Sequence, residues 1–211
     1  PICPICFTIQ EPKKMKKILK KIYNEEYYYP SWLIGIWINP VFIVRRGLLN
    51  GVKNISSKFI GGKLLDVGCG SGYFVYAALL NGVDAKGVDV NKTMIEFGNN
   101  QISLLRNESP LSCKLELDFF ASIASSDVTV ISAIGVIEHL RDPSTFFEAF
   151  HEGKAQYLFY SVPMFSFASM LENILQKVFP RHLSGGHTHL FTEQSIKWLH
   201  ESRNSILSLN G

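Results

Sequence analysis

Two carboxylates and a run of glycines carry the clearest chemistry in the chain. Asp66 lies two positions before the first glycine of Gly68-Cys69-Gly70-Ser71-Gly72. Asp89 follows 17 residues after Gly72. Glycines at alternate positions let a backbone approach a ligand closely, and the free N–H groups of a following helix face it. A carboxylate such as Asp89 can accept both hydroxyls of a ribose, one on each oxygen. Asp66 would repel a pyrophosphate and suits a ligand with a cationic end. A dinucleotide fingerprint spaces its third glycine three positions after the second, and here the interval is two. Spacing and charge thus exclude a nicotinamide dinucleotide. The plainer alternatives are a glycine turn that serves packing alone and an Asp89 that is only a turn or cap residue.

Imidazoles are the other reactive groups. His139 stands alone, and His182, His187 and His189 fall within eight residues. A neutral imidazole can take a proton near pH 7. His-x-His could begin a metal site, but no carboxylate or thiolate lies nearby to complete a usual ligand set, so no metal is expected. For each histidine the alternative is a polar loop residue that fixes the backbone around it.

These residues need a frame that brings strand ends together. Leu64, Leu65 and Val67 read as a buried parallel strand, and the apolar run from Tyr73 to Leu80 as the helix after it. Residues 84–90 read as the second strand, with a helix over 91–97 closed by Gly98-Asn99-Asn100. The alternation at 113–117 reads as the third strand, the β-branched run 128–134 as the fourth and 156–162 as the fifth. Asp142-Pro143 reads as an N-cap followed by a first-turn proline. Thr192 reads as the cap of a helix over 193–202. Strands alternating with helices predict an α/β fold: a doubly wound, Rossmann-like, mostly parallel sheet with helices on both faces.

The bulk numbers agree. The chain has 211 residues, 46% of them hydrophobic and 12% aromatic, enough for one core with an extension. A net charge of +3 does not imply a nucleic-acid face. No apolar run reaches the ~18 residues of a membrane span. The first residues lack a signal-peptide pattern, and the four cysteines are scattered, so a cytoplasmic location is expected. The chain opens without an initiator Met, which we read as the mark of a fragment or a trimmed chain.

Three domain segments are expected. Residues 1–12 carry Cys3-Pro4-Ile5-Cys6, half of a zinc knuckle or simply a loose end. Residues 13–60 should form an N-terminal helical cap. Within it Met15, Ile18, Leu19 and Ile22 make an apolar stripe among six lysines, and an interrupted apolar segment follows to Val44. Residues 13–44 are therefore a candidate for peripheral membrane contact, although a solvated helix packed by its stripe explains them equally. Residues 61–211 should form the ligand-binding domain, with an apolar lid insertion over 164–190.

The stretch from Asp66 to Gly72 resembles motif I of class I S-adenosylmethionine-dependent methyltransferases. Asp89 stands where that family has its second acidic residue. Gly135-Val136-Ile137-Glu138-His139-Leu140-Arg141-Asp142-Pro143 resembles an element of the branch that includes ubiquinone-pathway O-methyltransferases and sugar-modifying relatives, as do the residues from Pro180 to Thr192. The resemblance spans about residues 60–202. It implies S-adenosylmethionine as cofactor and S-adenosylhomocysteine as product. It implies cofactor contacts at Asp66, Gly68, Cys69, Gly70, Gly72, Asp89 and Val90. Asp118 and Phe119 would lie at the adenine, and Ile134 against the cofactor.

For the acceptor, the resemblance implies a small molecule. The Asn/Asp-Pro-Pro-aromatic element of enzymes that methylate adenine or glutamine is absent after the fourth strand, and a hydroxyl fits better. His139, His187 and His189 are the candidates to remove its proton. A lipid-linked acceptor at a membrane, or a cofactor-binding module without catalysis, are the alternatives. The family closes its sheet with a sixth and a seventh strand. Only residues 205–209 remain for these, so an incomplete final hairpin and an exposed sheet edge are expected.

Overall fold

The computed structural model describes residues 62–114, 116–165 and 189–201. The Cys-x-x-Cys tail, the proposed cap, most of the lid with His182 and His187, and the final hairpin lie outside the described residues. Labels below run over the described elements.

Strands β1 (Lys63–Val67), β2 (Asp84–Asp89), β3 (Leu111–Cys113), β4 (Val130–Ile134) and β5 (Tyr157–Ser161) form one parallel sheet in the order β3-β2-β1-β4-β5. All strands point the same way, so their carboxyl ends share one edge. The order reverses between β1 and β4, and a crevice opens there in folds of this type.

The helices divide between the two faces. On one face, α1 (Tyr73–Leu80) and α2 (Lys92–Arg106) pack on Leu64, Ala85, Leu111, Val130 and Ile134. On the other, α3 (Glu116–Ser125), α4 (Pro143–Glu152) and α5 (Glu193–Glu201) pack on Leu65, Val67, Val88, Ile131 and Ala133. Leu64 and Leu65 face opposite ways because successive strand side chains alternate, and both are buried because helices cover both faces. α1 is buried along seven of its eight residues, which explains an apolar run without a polar stripe.

Caps form as the sequence predicts at two helices. Asp142 accepts from the Ser144 N–H at 3.0 Å, with Pro143 opening α4. The Thr192 hydroxyl accepts from the Ser195 N–H at 3.1 Å and starts α5. At β5, Phe191 bridges Met164 in parallel, so the chain entering α5 lies beside the chain leaving the strand.

Two expectations require correction. The helix after β2 does not end at Gly98 but runs to Arg106, where Asn107 closes it in a left-handed conformation at φ 55°. Met94, Ile95 and Ile102 hold its buried face, and Gly98 lies on that face because the helix backbone presses on the glycine loop. A Cβ at Gly98 would come within 2.4 Å of the Ser71 carbonyl oxygen. The third strand is not 113–117 but Leu111–Cys113, paired with Gly87–Asp89. Leu111 is the residue with a buried slot to fill. Beyond it, Phe119 and Ile123 bury one face of a helix, and that four-residue spacing overrides the short alternation at 113–117.

Candidate active site

The glycine loop leaves β1 and folds back onto β2. The N–H groups of Gly68 and Cys69 both donate to the Val88 carbonyl, at 2.8 and 3.1 Å. Gly68 has φ +69°, and a Cβ there would lie 2.4 Å from Val136 Cγ2. Only glycine allows both the backbone conformation and this contact with the turn after β4. Gly70 differs. Among the described residues, the nearest atom a Cβ would meet is Met94 Cε at 3.8 Å, so they leave the space beside this residue open. Gly72 then starts α1, and its carbonyl accepts the Tyr76 N–H at 2.8 Å.

Asp89 ends β2 beside this loop. One oxygen accepts the Gly70 N–H and the other the Asn91 N–H, both at 2.8 Å. A carboxylate offers about four lone-pair sites, so each oxygen keeps one for a further donor. Burial pushes the Asp89 carboxyl above the usual aspartate value, and the bonds from the Asn91 and Gly70 N–H groups, with the nearby Val90 N–H, oppose that rise. Val90 is half-buried beside it. Asn91 caps α2 by accepting the Met94 N–H at 3.1 Å.

Asp66 does not face open solvent. It is 3% exposed, and its carboxylate accepts the Ser132 hydroxyl from β4 at 2.6 Å. The pair ties the strands on either side of the crevice and places a carboxylate beneath the glycine loop. Cys69 lies within reach of the charges of both Asp66 and Asp89. Burial first, then the two carboxylates, raise its thiol well above the ordinary value and keep it protonated at neutral pH. Ser71 is 3% exposed, and its hydroxyl has no hydrogen-bond partner among the described residues.

Ile134 is buried at the end of β4. After it come exposed Gly135 and a short 3-10 turn, Ile137–His139. His139 is half-buried. His189 is only 1% exposed. Its backbone N–H donates to the Glu138 carbonyl at 3.2 Å, its ring bonds to the same carbonyl, and the ring stacks on Phe191. Burial lowers the His189 pKa, while the Glu138 bond and the Asp142 charge work the other way. The structure thus separates the histidines: His139 borders the strand-end turn, whereas His189 is locked beneath it.

Asp118 is exposed in the first turn of α3, and Phe119 is buried in the core. Asp118 lines a cavity of about 390 Å³ with Cys113, Lys114, Ala121, Ser122 and Ser125. The Lys114 N–H donates to the Asp89 carbonyl at 2.9 Å, which sets this cavity beside the end of β2. Among the described residues, no three His, Cys, Asp or Glu side chains group as metal ligands. Among them too, no helix is long and apolar enough to cross a membrane.

Sequence reasoning missed Ser132, Asn91 and Ser71. Ser132 is a polar residue inside an apolar strand, which is a sign of a buried partner, but the register that gives it Asp66 is not visible in the sequence. Asn91 directly before a helix is a readable cap.

A loop of this geometry, with a carboxylate at the end of the second strand, marks a nucleotide-type site at the switch point of a doubly wound sheet. The family model described as "Methyltransferase domain" matches residues 44–204. The chain belongs to this methyltransferase family, whose methyl donor is S-adenosylmethionine. No curated protein matches the sequence.

Among solved structures, the fold is similar to magnesium protoporphyrin IX methyltransferase (ChlM) from Synechocystis PCC 6803 with bound SAH. The TM-score is 0.67 at 14% identity, over 92% of each chain. A SAM-dependent methyltransferase from Archaeoglobus fulgidus matches with a TM-score of 0.53 at 19% identity, over 74% of this chain and 67% of that one. The small RNA methyltransferase HEN1 matches with a TM-score of 0.57 at 22% identity, over 76% of this chain but 22% of its own length. At these identities the likeness is one of fold.

Proposed function

We propose that the chain transfers a methyl group from S-adenosylmethionine to a hydroxyl of a small-molecule acceptor. The carrying observation is Asp89. Two backbone N–H groups fix its carboxylate, and each oxygen retains a lone pair for one of two vicinal hydroxyls. The open space at Gly70 suits the same ligand, because a side chain there would fill the cradle.

When bound, S-adenosylmethionine supplies an electrophilic methyl on a sulfonium. The residues of this chain orient it. Asp89 holds the ribose. Gly68, Cys69, Gly70 and Gly72 shape the backbone beneath the amino-acid end, and Asp66 favours its positive charge from below the loop. Val90 and Asp118 flank the adenine, with Phe119 anchoring α3 in the core behind them, and Ile134 closes the crevice from β4.

The acceptor side is the turn from Gly135 to His139. As the acceptor oxygen bonds to carbon, its proton must leave, and we assign His139 as the imidazole that takes it. His187 remains a second candidate from the lid. His189 is assigned a positioning role, because burial and its bond to Glu138 leave it unable to reach an acceptor. The turn sequence supports the branch that holds ubiquinone-pathway O-methyltransferases and sugar-modifying relatives. Residues 13–60 serve as the cap and 164–190 as the lid in this reading.

The fold alone does not choose the acceptor, since proteins that share it are named for a porphyrin and for small RNA. The test is a methyl-transfer assay with labelled S-adenosylmethionine against phenols, sugar hydroxyls, amines and RNA. Transfer to a hydroxyl, falling by about 10²–10⁴-fold in His139→Ala, is expected. Transfer only to nitrogen or to RNA would overturn the assignment.

A further inference from the structure

The glycine loop rests on one side chain that sits outside the nucleotide crevice. Leu111 opens the edge strand β3 and is 5% exposed. Three glycines converge on it. A Cβ on Gly72 would lie 2.6 Å from Leu111 Cδ1, one on Gly98 also 2.6 Å from Cδ1, and one on Gly87 2.9 Å from Cδ2. These glycines belong to the loop, to α2 and to β2. Leu111 therefore fills the space where all three meet, directly under the start of α1.

Its backbone is held in an unusual way. Among the described residues β3 is the edge of the sheet, and an edge leaves N–H and C=O groups without a ladder partner. At Leu111 a side chain takes both. The Asn99 amide donates to the Leu111 carbonyl at 2.9 Å, and the Leu111 N–H donates to the Asn99 carbonyl oxygen at 3.0 Å. Asn99 thus pairs with one residue as a neighbouring strand would. It comes from α2, one position after Gly98, whose backbone presses on Ser71 of the loop.

We infer that Leu111, clamped by Asn99, is a positioning residue for the methyl-donor loop: it sets the loop's conformation without touching the ligand. A loop that must hold its N–H groups on Asp89 and on the ligand together tolerates little displacement. Loss of the Leu111 side chain opens a space on its underside, and loss of the Asn99 amide frees the strand that carries Leu111.

The inference rests on the proposed donor site, so two readouts are needed. The first is calorimetric titration with S-adenosylhomocysteine of wild type, Leu111→Ala, Asn99→Leu and the control Ile102→Ala. Ile102 is fully buried in the same core cluster but is not among the nearest atoms to any of the three glycines. The second is hydrogen exchange of the 68–72 amides without ligand.

All three variants should melt lower than wild type. Only Leu111→Ala and Asn99→Leu should weaken binding, by about tenfold or more for Leu111→Ala, and only these two should speed loop exchange. If Leu111→Ala does not fold, Asn99→Leu carries the test. Unchanged loop exchange in Asn99→Leu, or equal weakening in Ile102→Ala, overturns the inference. A wild type that binds no S-adenosylhomocysteine overturns the donor assignment instead, and loop exchange still decides the role of Leu111.

Discussion

The two sides of the strand-end crevice are built on different principles. On the donor side, the groups that matter are close in sequence. Asp89 bonds to Gly70, 19 residues away, and to Asn91, two away. Elsewhere in the crevice, distant segments meet. Ser132 reaches Asp66 across 66 positions where β1 and β4 adjoin, and on the proposed acceptor side the turn at Glu138 is held by His189. In the proposed assignment, the ribose end of the donor side is a local backbone motif, and the acceptor side is a tertiary assembly. Local motifs fix a cofactor across a family, while assembled surfaces leave room for different acceptors.

The comparison can be broken most sharply at Asp89. Asp89→Ala removes two backbone contacts and the groups for two ribose hydroxyls. S-adenosylhomocysteine binding should weaken by about a hundredfold or more, as expected for lost bonds to a charged acceptor. Calorimetry checks this, and full affinity in the variant would show that the donor side is elsewhere.

Gly68→Ala tests the join between the two sides. It strains a backbone at φ +69° and drives a methyl group onto Val136. The expected cost is about 2–3 kcal/mol in chemical denaturation. Adding Val136→Ala should recover the steric part and leave the backbone strain of about 1–2 kcal/mol. No recovery would mean that the loop and the turn are not packed together.

Away from the crevice, the Tyr160 hydroxyl and His200 Nε2 lie 2.8 Å apart, and burial pushes the Tyr160 pKa up to about 12. Tyr160→Phe should cost about 1 kcal/mol. It should leave S-adenosylhomocysteine affinity unchanged, because the pair braces β5 against α5. A change in affinity would extend the donor site across the sheet.

The smallest effect concerns pH. The folded-state pKa of His189 is lowered, so the unfolded chain binds that proton more readily. Its contribution to stability is complete above the ordinary value of 6.5 and is lost as pH falls below it. The melting temperature of wild type should therefore drop between pH 7 and 5 by more than that of His189→Gln. Equal slopes would show that His189 is not held neutral.

Much of the backbone geometry around the glycine loop was legible in the sequence. Gly68 to Gly72 and Asp89 were readable because strand, turn and helix follow one another within a short stretch, each with its own local pattern. α1 fell where its apolar run ends, and the Asp142 and Thr192 caps are local chemistry. What failed was decided by tertiary contact. Gly98 looks like a helix end, since glycine costs a helix interior about 1 kcal/mol. Here it is retained inside α2 because the helix backbone must approach Ser71. β3 was misplaced because Leu111 is drawn into a slot made by glycines from three elements, while 113–117 shows a better alternation. Asp66 was readable as an acid just before the glycine loop, but not as the buried partner of Ser132. His189 looked as available as His139, and only burial separates them.

The most direct test of the central claim is a crystal structure of the full chain with S-adenosylhomocysteine. The account predicts both ribose hydroxyls within about 2.5–3.0 Å of the two Asp89 oxygens, with the amino-acid end over Gly68 and Gly70. The ligand bound away from Asp89, or with its ribose turned from the β2 end, would contradict it.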